Sequence, residues 1–193
     1  MDKNLIVAFA GRIGAGKSSV SAPFAAELGW KFASFGAFVR KTATERGMDR
    51  SRESLQAIGA ELEAKDAAMF CRAVLDDAGW NAGEPAVVEG IRHVRIWETL
   101  KSLVAPQPVF LVYLEAPEEL RRTRLQERGA QEAQYLERAE THSTERDVIA
   151  ELPQLANLVL STESDSVADL VRQIKANALN ASQRESSARA NPL

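Results

Sequence analysis

The chain has 193 residues, of which 45% are hydrophobic and 26% charged, a composition typical of one globular domain with its own core. Its 24 basic and 27 acidic residues leave a net charge of -3, which excludes a broad positive surface for nucleic acid or an anionic membrane. The single cysteine, Cys71, excludes an internal disulfide and favours a cytoplasmic location, and we interpret it as a small buried hydrophobic residue.

The first predicted elements are a strand, a glycine-rich turn and a helix. Residues 5–10 form a continuous apolar run, which is typical of a strand buried on both faces of a parallel sheet. Apolar residues at intervals of four predict a helix over 17–28, although Pro23 lies inside it. The turn between them, Gly11-Arg-Ile-Gly-Ala-Gly-Lys17-Ser18, matches the phosphate-binding pattern G-x-x-x-x-G-K-[ST] at every required position.

This turn carries the groups that a triphosphate needs. Glycines let the backbone N–H groups approach the phosphate oxygens, and the following helix directs its positive end at them. Lys17 can supply a point charge to the β- and γ-phosphates, and the Ser18 hydroxyl can ligate Mg²⁺. We therefore predict that the chain binds ATP, or a close relative, with Mg²⁺. The predicted nucleotide-binding residues are Gly11, Gly14, Ala15, Gly16, Lys17, Ser18 and Ser19.

The rest of the chain alternates between predicted strands and helices, which indicates an α/β fold with a parallel sheet and right-handed crossovers. We predict a three-layer P-loop NTPase fold with five parallel strands, helices on both faces and a small lid. Ser51 can cap a long helix that reaches about residue 78, with Gly59 as a candidate break. The predicted strands are 5–10, 31–34, 85–89, 109–114 and 155–160. The other predicted helices are 37–46, 94–104, 117–128 and 167–179.

A carboxylate stands at the end of the third predicted strand. Glu89 follows an apolar run and lies where a P-loop fold brings strand ends beside the phosphates, so we predict that it holds Mg²⁺ through water or takes a proton. A strand-end carboxylate that only faces solvent is the alternative interpretation. Arg92, three residues later, can meet a phosphate.

Two further arginine groups are candidate anion sites. Arg121, Arg124 and Arg128 share one helix face, where they can neutralise a transferring phosphoryl group. The same arginines can instead form a solvated face paired with nearby glutamates. Gly36 and Arg40, after the second strand, are spaced to hold a second anionic ligand.

Together these residues resemble the nucleoside monophosphate kinase family, with cytidylate and adenylate kinases as the nearest likeness and dephospho-CoA kinase as a more distant one. The resemblance covers roughly residues 4–175. It implies that the arginine of the Gly36–Arg40 segment holds the acceptor phosphate. In the predicted mechanism the substrate-binding residues are Gly36, Arg40, Arg92 and Arg121, and the catalytic residues are Lys17, Glu89, Arg124 and Arg128. Phe35 replaces the threonine usual in that family, Ala37 replaces the adenylate-kinase aspartate, and the lid lacks the cytidylate-kinase Asp-Arg pattern, with Arg138 and Arg146 as candidate replacements.

The predicted domain organisation rests on the chain length and on two polar stretches, together with the same resemblance. Residues 1–180 form one kinase-like domain, with an acceptor-binding insert at about 36–80, a lid at about 129–147 and a flexible tail at 181–193. The predicted activity is transfer of the γ-phosphoryl group of Mg-ATP to a small acceptor, most simply a nucleoside monophosphate, with no nucleic acid or membrane partner. The oligomeric state stays open.

Three alternatives remain at this point. One is a kinase for another small molecule, such as dephospho-CoA. Another is an ATP-hydrolysing switch, although no Asp-x-x-Gly follows the third predicted strand and no Asn-Lys-x-Asp pattern is present, both of which switch GTPases need. The last is a binding module whose site has lost its activity.

Overall fold

Five parallel strands form a single sheet in the computed structural model, which describes residues 4–127, Gly129 and residues 148–190, without the side chains of 182–190. The sheet order is β2-β3-β1-β4-β5, so the strand that precedes the glycine-rich turn lies at the centre. The strands are β1 (Ile6–Gly11), β2 (Lys31–Ser34), β3 (Ala86–Ile91), β4 (Val109–Glu115) and β5 (Leu158–Ser161).

Helices cover both faces of this sheet, as predicted. The helices among the described residues are α1 (Lys17–Leu28), α2 (Phe35–Glu45), α3 (Arg52–Asp77), α4 (Val94–Val104), α5 (Glu118–Gln126), α6 (Leu152–Leu155) and α7 (Val167–Ala190). None of the helices in the described part of the chain is long and apolar enough to cross a membrane.

The alternation of side chains along β1 explains why its whole sequence is apolar. Ile6, Ala8 and Ala10 point into the core that β1 shares with α2, α3 and α4. Leu5, Val7 and Phe9 belong to the opposite core, beneath α1 and α7. Because both faces are covered, a polar residue at either set of positions would be buried without water.

Several predicted boundaries differ from the structure by a few residues, and three features differ most clearly. Helix α3 continues through Gly59 and breaks at Asp66, where the backbone is extended and the side chain accepts a hydrogen bond from the Met69 N–H at 2.9 Å. An aspartate that caps a new helical turn explains the break. The last helix continues to Ala190 rather than ending near Leu179.

The third error concerns the start of β5. The predicted strand 155–160 begins three residues too early, because Leu155 ends the short helix α6. The Asn157 side chain accepts a hydrogen bond from the Leu111 N–H at 2.7 Å, and the strand starts with the next residue. The predicted lid at 129–147 lies outside the described residues apart from Gly129, and the flexibility of the tail at 181–193 stays a prediction.

Candidate functional site

The glycine-rich turn joins the central strand β1 to helix α1, and its glycines are required by close backbone contacts. Gly11 has φ 144°, and a Cβ there would lie 2.2 Å from the carbonyl oxygen of Leu114. Gly14 has φ 80°, and its Cβ would lie 2.9 Å from the Cβ of Arg121. A side chain at either position would push the turn away from β4 or α5, so the sequence pattern is a requirement of local packing.

Lys17 and Ser18 begin α1 at the open side of this turn. The Lys17 ammonium donates hydrogen bonds to the carbonyl oxygens of Gly11 at 2.7 Å and Arg12 at 2.9 Å. The Lys17 residue is only 9% exposed, so its positive charge is held directly against the backbone of the turn. This position suits a charge that must meet phosphate oxygens rather than bulk water.

Glu89 lies beside the turn because β3 pairs with β1 in parallel. The Ser18 hydroxyl donates to Glu89 Oε1 at 2.8 Å, and the Ser34 hydroxyl donates to Oε2 at 3.0 Å. Glu89 is 9% exposed and therefore does not face solvent as a simple strand-end residue would. Ser34, which the sequence analysis missed, also caps α2 by accepting a hydrogen bond from the Ala37 N–H at 3.2 Å.

The donor set at Ser18 and Glu89 fits Mg²⁺. Both residues offer oxygen atoms, which a hard divalent cation prefers, and they lie within hydrogen-bond distance of each other. Among the described residues, no group of three or more His, Cys, Asp or Glu side chains could hold a metal ion. Magnesium is commonly held by one or two protein oxygens together with phosphates of the substrate, so the pair and the neighbouring turn fit Mg-ATP.

A cavity of about 290 Å³ opens next to Lys17 and Ser18. Its walls come from the turn, α2, α3 and the end of β3, and they include the predicted acceptor residues Gly36, Arg40 and Arg92. Its charged lining residues other than histidine are Lys17, Arg40, Arg52, Arg92, Glu63 and Glu89. The excess of cations favours an anionic ligand.

Several polar residues of this cavity were missed by the sequence analysis. Arg52, Gln56 and Glu63 line it from α3, and Glu63 lies about two helical turns after Gln56. The Glu63 carboxylate lies 3.0 Å from His93 Nε2 across the cavity wall. The spacing of these α3 residues on one helix face was a usable signal, but only the fold shows that this face borders the P-loop rather than solvent.

An aromatic pair forms the apolar side of the cavity. Phe35 and Phe70 meet edge to face, with ring centroids 5.0 Å apart and planes at 85°. Phe35 is 6% exposed and occupies the position where the resembling kinases have threonine. The lining of the cavity therefore combines cationic and apolar side chains.

The arginines of α5 lie on the other side of the turn. Arg121 is 1% exposed and donates to the Ile13 carbonyl oxygen at 3.2 Å, so it supports the turn from beneath and does not line the acceptor cavity. Its predicted substrate contact has no support in this arrangement. Arg122 is exposed and pairs with Glu118 at 3.3 Å. Arg128 lies outside the described residues.

Arg124 links α5 to the end of β5 and to the turn. Its guanidinium donates to the Thr162 hydroxyl at 2.8 Å and to the Thr162 carbonyl at 2.7 Å. The Thr162 hydroxyl donates in turn to the carbonyl of Ala15 at 3.2 Å. Arg124, Thr162, Gly16 and Ser19 line a second cavity of about 330 Å³, apart from the acceptor cavity.

Cys71 is a core residue, as predicted. It is fully buried, and burial raises the pKa of its thiol to about 12, with a smaller contribution from the charge of Glu63. A thiol with that pKa is not a nucleophile at neutral pH.

Comparison with known proteins gives a consistent result. The family model described as "AAA domain" matches residues 7–146, more than half of the chain. No curated protein matches the sequence. Solved structures with a similar fold include a gluconokinase from Sinorhizobium meliloti 1021, which is 17% identical with a TM-score of 0.59 and covers 96% of this chain and 98% of that one.

Two further solved structures also have a similar fold. A shikimate kinase from Acinetobacter baumannii, solved in complex with shikimate, is 18% identical with a TM-score of 0.56, over 92% of this chain and 93% of that one. A Thermus thermophilus protein is 20% identical with a TM-score of 0.57, over 90% and 95%. These likenesses confirm the predicted fold class, and the kinase names agree with the predicted enzyme class, a kinase-like phosphotransferase. At this level of identity the likenesses show the fold, and none of the three structures is named as a cytidylate or adenylate kinase.

Proposed function

The chain belongs to the AAA domain family, and from that premise we propose that it transfers the γ-phosphoryl group of Mg-ATP to a nucleoside monophosphate. One observation carries the proposal: the cavity with the acceptor arginines opens directly on Lys17, Ser18 and Glu89. A donor phosphate held by the turn and an acceptor phosphate held by the arginines would therefore be neighbours. Phosphoryl transfer depends mainly on such positioning and on charge neutralisation.

Each group in the cavity has a role in this proposal. The turn and Lys17 hold the phosphates of ATP, and bound Mg²⁺ supplies charge neutralisation at the β- and γ-oxygens. Ser18 would ligate the ion, and Glu89 would hold a water of the ion. Arg40 and Arg92 hold the acceptor phosphate, and Arg52 adds a third cation at the same cavity.

The side of the turn away from this cavity has a different role. Arg124 and Thr162 border the second cavity, which lies against Gly16 and Ser19. We assign this cavity to the nucleoside part of ATP, because a ligand held by the turn extends to one side while the acceptor lies on the other. In this proposal Arg124 is a positioning residue. It holds the Thr162 hydroxyl, which in turn donates a hydrogen bond to the Ala15 carbonyl of the turn.

The acceptor class follows from the composition of the cavity. A phosphate needs the cations of the lining, and the apolar surface of Phe35 and Phe70 suits a ring more than a hydrated polyol. The structural neighbours are named for gluconate and shikimate, both carboxylates, which arginines also hold. A small-molecule kinase of that type, or one for dephospho-CoA, is the nearest alternative.

The family description also favours a second candidate, an ATPase that hydrolyses ATP without an acceptor. One experiment separates the candidates: ADP release from Mg-ATP is measured with CMP, UMP, AMP, GMP, their deoxy forms, dephospho-CoA, gluconate and shikimate. Release that requires a nucleoside monophosphate supports the proposal. Release that requires another acceptor supports the alternative kinase, and acceptor-independent release supports the ATPase.

A further inference from the structure

Gly59 lies inside a helix that gives it no structural reason to be glycine. Helix α3 is regular on both sides of it, and its φ is not positive. Among the described residues, a Cβ built at position 59 would meet only Val39 Cγ2, at 3.8 Å, which is an ordinary van der Waals distance. Because glycine destabilises a helix interior relative to alanine, the absence of a side chain here calls for a functional explanation.

The missing side chain leaves space next to Val39, in the cavity that both residues line. Gly59 and Ala60 line this cavity together with Leu55, Gln56 and Glu63, all on one face of α3. The two smallest residues therefore lie in the middle of the face, with longer side chains about one turn away on either side. This arrangement leaves a shallow, flat section of helix wall.

The surroundings of this flat section suit an aromatic ring. Phe35, Val39 and Phe70 supply the apolar surface of the same cavity. Gln56 and Glu63 supply polar atoms at the two ends of the section, and Glu63 is kept in place by His93 at 3.0 Å. A planar heterocycle needs apolar contact on its faces and hydrogen-bonding groups at its edge.

We propose that Gly59 is a specificity-determining position. The flat face of the acceptor's base packs against the helix backbone at Gly59, while Gln56 and Glu63 form hydrogen bonds with the edge of the base. This inference rests on the proposed function and adds to it the part of the acceptor that α3 recognises. It also gives α3 a direct role in choosing a nucleotide over a sugar acid, since an aliphatic polyol has no flat face to place there.

The test replaces Gly59 with alanine in the full chain. Alanine is a better helix former and fits against Val39, so Gly59→Ala should raise Tm by about 2–4 °C. The added methyl group would occupy the seat of the base. KM for the nucleoside monophosphate that the wild-type enzyme uses best among CMP, UMP, AMP and GMP should therefore rise about tenfold, with KM for ATP unchanged.

A matched control separates recognition from stability. Ala57 is exposed on the same helix, so Ala57→Gly should lower Tm and leave both KM values unchanged. The double variant Ala57→Gly/Gly59→Ala should regain the wild-type Tm while keeping the raised acceptor KM. Calorimetric titration with the same nucleoside monophosphate should show the same weakening without turnover.

Two results would overturn the inference, and they are distinguishable. Suppose that the wild-type protein phosphorylates a nucleoside monophosphate, but Gly59→Ala leaves the KM and the calorimetric affinity for that nucleotide unchanged. The base then does not pack at Gly59, while the proposed function stands. If none of the four nucleoside monophosphates is an acceptor for the wild-type protein, the proposed function fails, and the inference fails with it.

Discussion

Arg40 and Arg122 allow a comparison between an arginine at the acceptor cavity and one on an exposed helix surface. Arg40 lines the cavity, whereas Arg122 pairs with Glu118 on α5. We expect Arg40→Ala to raise KM for the acceptor by about 10- to 100-fold, because a charge-assisted hydrogen bond to phosphate contributes about 1.5–3 kcal/mol. KM for ATP should change by less than about twofold.

Steady-state kinetics with each substrate varied in turn measures this difference, and Arg122→Ala is the control. That variant should leave both KM values near wild type, since exposed ion pairs contribute little. An equal loss of affinity for ATP and acceptor in Arg40→Ala would mean that Arg40 does not hold the acceptor.

Ser34 is a positioning residue that connects Glu89 to the first turn of α2. Its hydroxyl donates to Glu89 and accepts from the Ala37 N–H, so one side chain fixes both elements. We expect Ser34→Ala to lower kcat and to raise the Mg²⁺ concentration for half-maximal activity, by about 10- to 100-fold for one or both. Ser34→Thr keeps the hydroxyl and should restore both values.

The Mg²⁺ titration distinguishes this role from a merely structural one. Loss of the α2 cap alone would lower Tm without changing the Mg²⁺ requirement. An unchanged Mg²⁺ dependence in Ser34→Ala would therefore show that Ser34 does not act through Glu89.

Helix α3 shows at the scale of an element how one side chain can divide a helix. The break lies at Asp66, whose carboxylate accepts a hydrogen bond from the Met69 N–H. We expect Asp66→Ala to lower the free energy of unfolding by about 1 kcal/mol, the usual contribution of an N-cap, and Tm by about 2–4 °C. Asp66→Asn keeps a capping oxygen and should stay close to wild type in thermal unfolding.

Kinetics on the same variants give a second check. Asp66 is exposed and does not line the acceptor cavity, so KM for the acceptor should change little in the alanine variant. A loss of stability as large in Asp66→Asn as in Asp66→Ala would contradict the capping role.

Helix α5 shows that helical periodicity finds a shared arginine face but not the surface that this face contacts. The spacing of Arg121 and Arg124 predicts one shared face, which is correct, but that face packs against the turn. Gly14 allows this approach, because a Cβ there would collide with Arg121. The two arginines therefore hold the shape of the turn through its carbonyl oxygens, which a helical periodicity cannot distinguish from binding phosphate.

Ligand binding should stabilise the whole molecule by an amount that grows with the logarithm of the ligand concentration once it exceeds Kd. With Mg-ATP at about 100 times its Kd, the free energy of unfolding should rise by about 2.7 kcal/mol, which increases Tm by several degrees. Lys17→Ala should lose most of this increase and nearly all turnover, because the charge held at the turn is removed. Thermal unfolding with and without Mg-ATP, in both proteins, measures the effect.

Comparing the wild-type protein with Lys17→Ala tests whether the nucleotide binds at the turn. The same increase in Tm for wild type and Lys17→Ala would place the nucleotide somewhere other than the turn. Chelation of the metal should reduce the wild-type increase if, as proposed, the Ser18 and Glu89 oxygens hold Mg²⁺ with the nucleotide.

Cys71 should make the stability of the core sensitive to alkaline pH. Burial raises the pKa of the thiol from the ordinary 9.0 to about 12 in the folded state. The folded chain therefore holds this proton more tightly than the unfolded chain, and the resulting stability is complete below pH 9 and is lost as pH rises towards 12.

The difference in unfolding free energy between wild type and Cys71→Ala isolates this effect. Measured by urea unfolding, wild-type minus variant stability should stay nearly constant up to about pH 9 and then decrease as the pH rises to about 10.5. The subtraction removes the titration of lysines and tyrosines that both proteins share. A constant difference over this range would contradict a buried, fully protonated thiol.

Much of the site was accessible from the sequence, for a physical reason. The turn at 11–18 depends on backbone contacts between neighbouring residues, so its pattern of glycines, Lys17 and Ser18 predicts it directly. Glu89 was accessible because parallel strands end at a common edge of the sheet. The continuous apolar run of β1 predicts a strand covered on both faces.

What the sequence by itself determined is therefore the local chemistry: the phosphate-binding turn, the order of strands and helices, and the candidate arginines Arg40 and Arg92. Only the tertiary structure decided which residues share a cavity, because packing between segments far apart in the chain brings Arg52, Gly59 and Glu63 of α3 to the cavity that the turn also lines. The same packing placed Arg121 beneath the turn. A helix face is fixed by local periodicity, whereas the surface it meets is fixed by the whole fold.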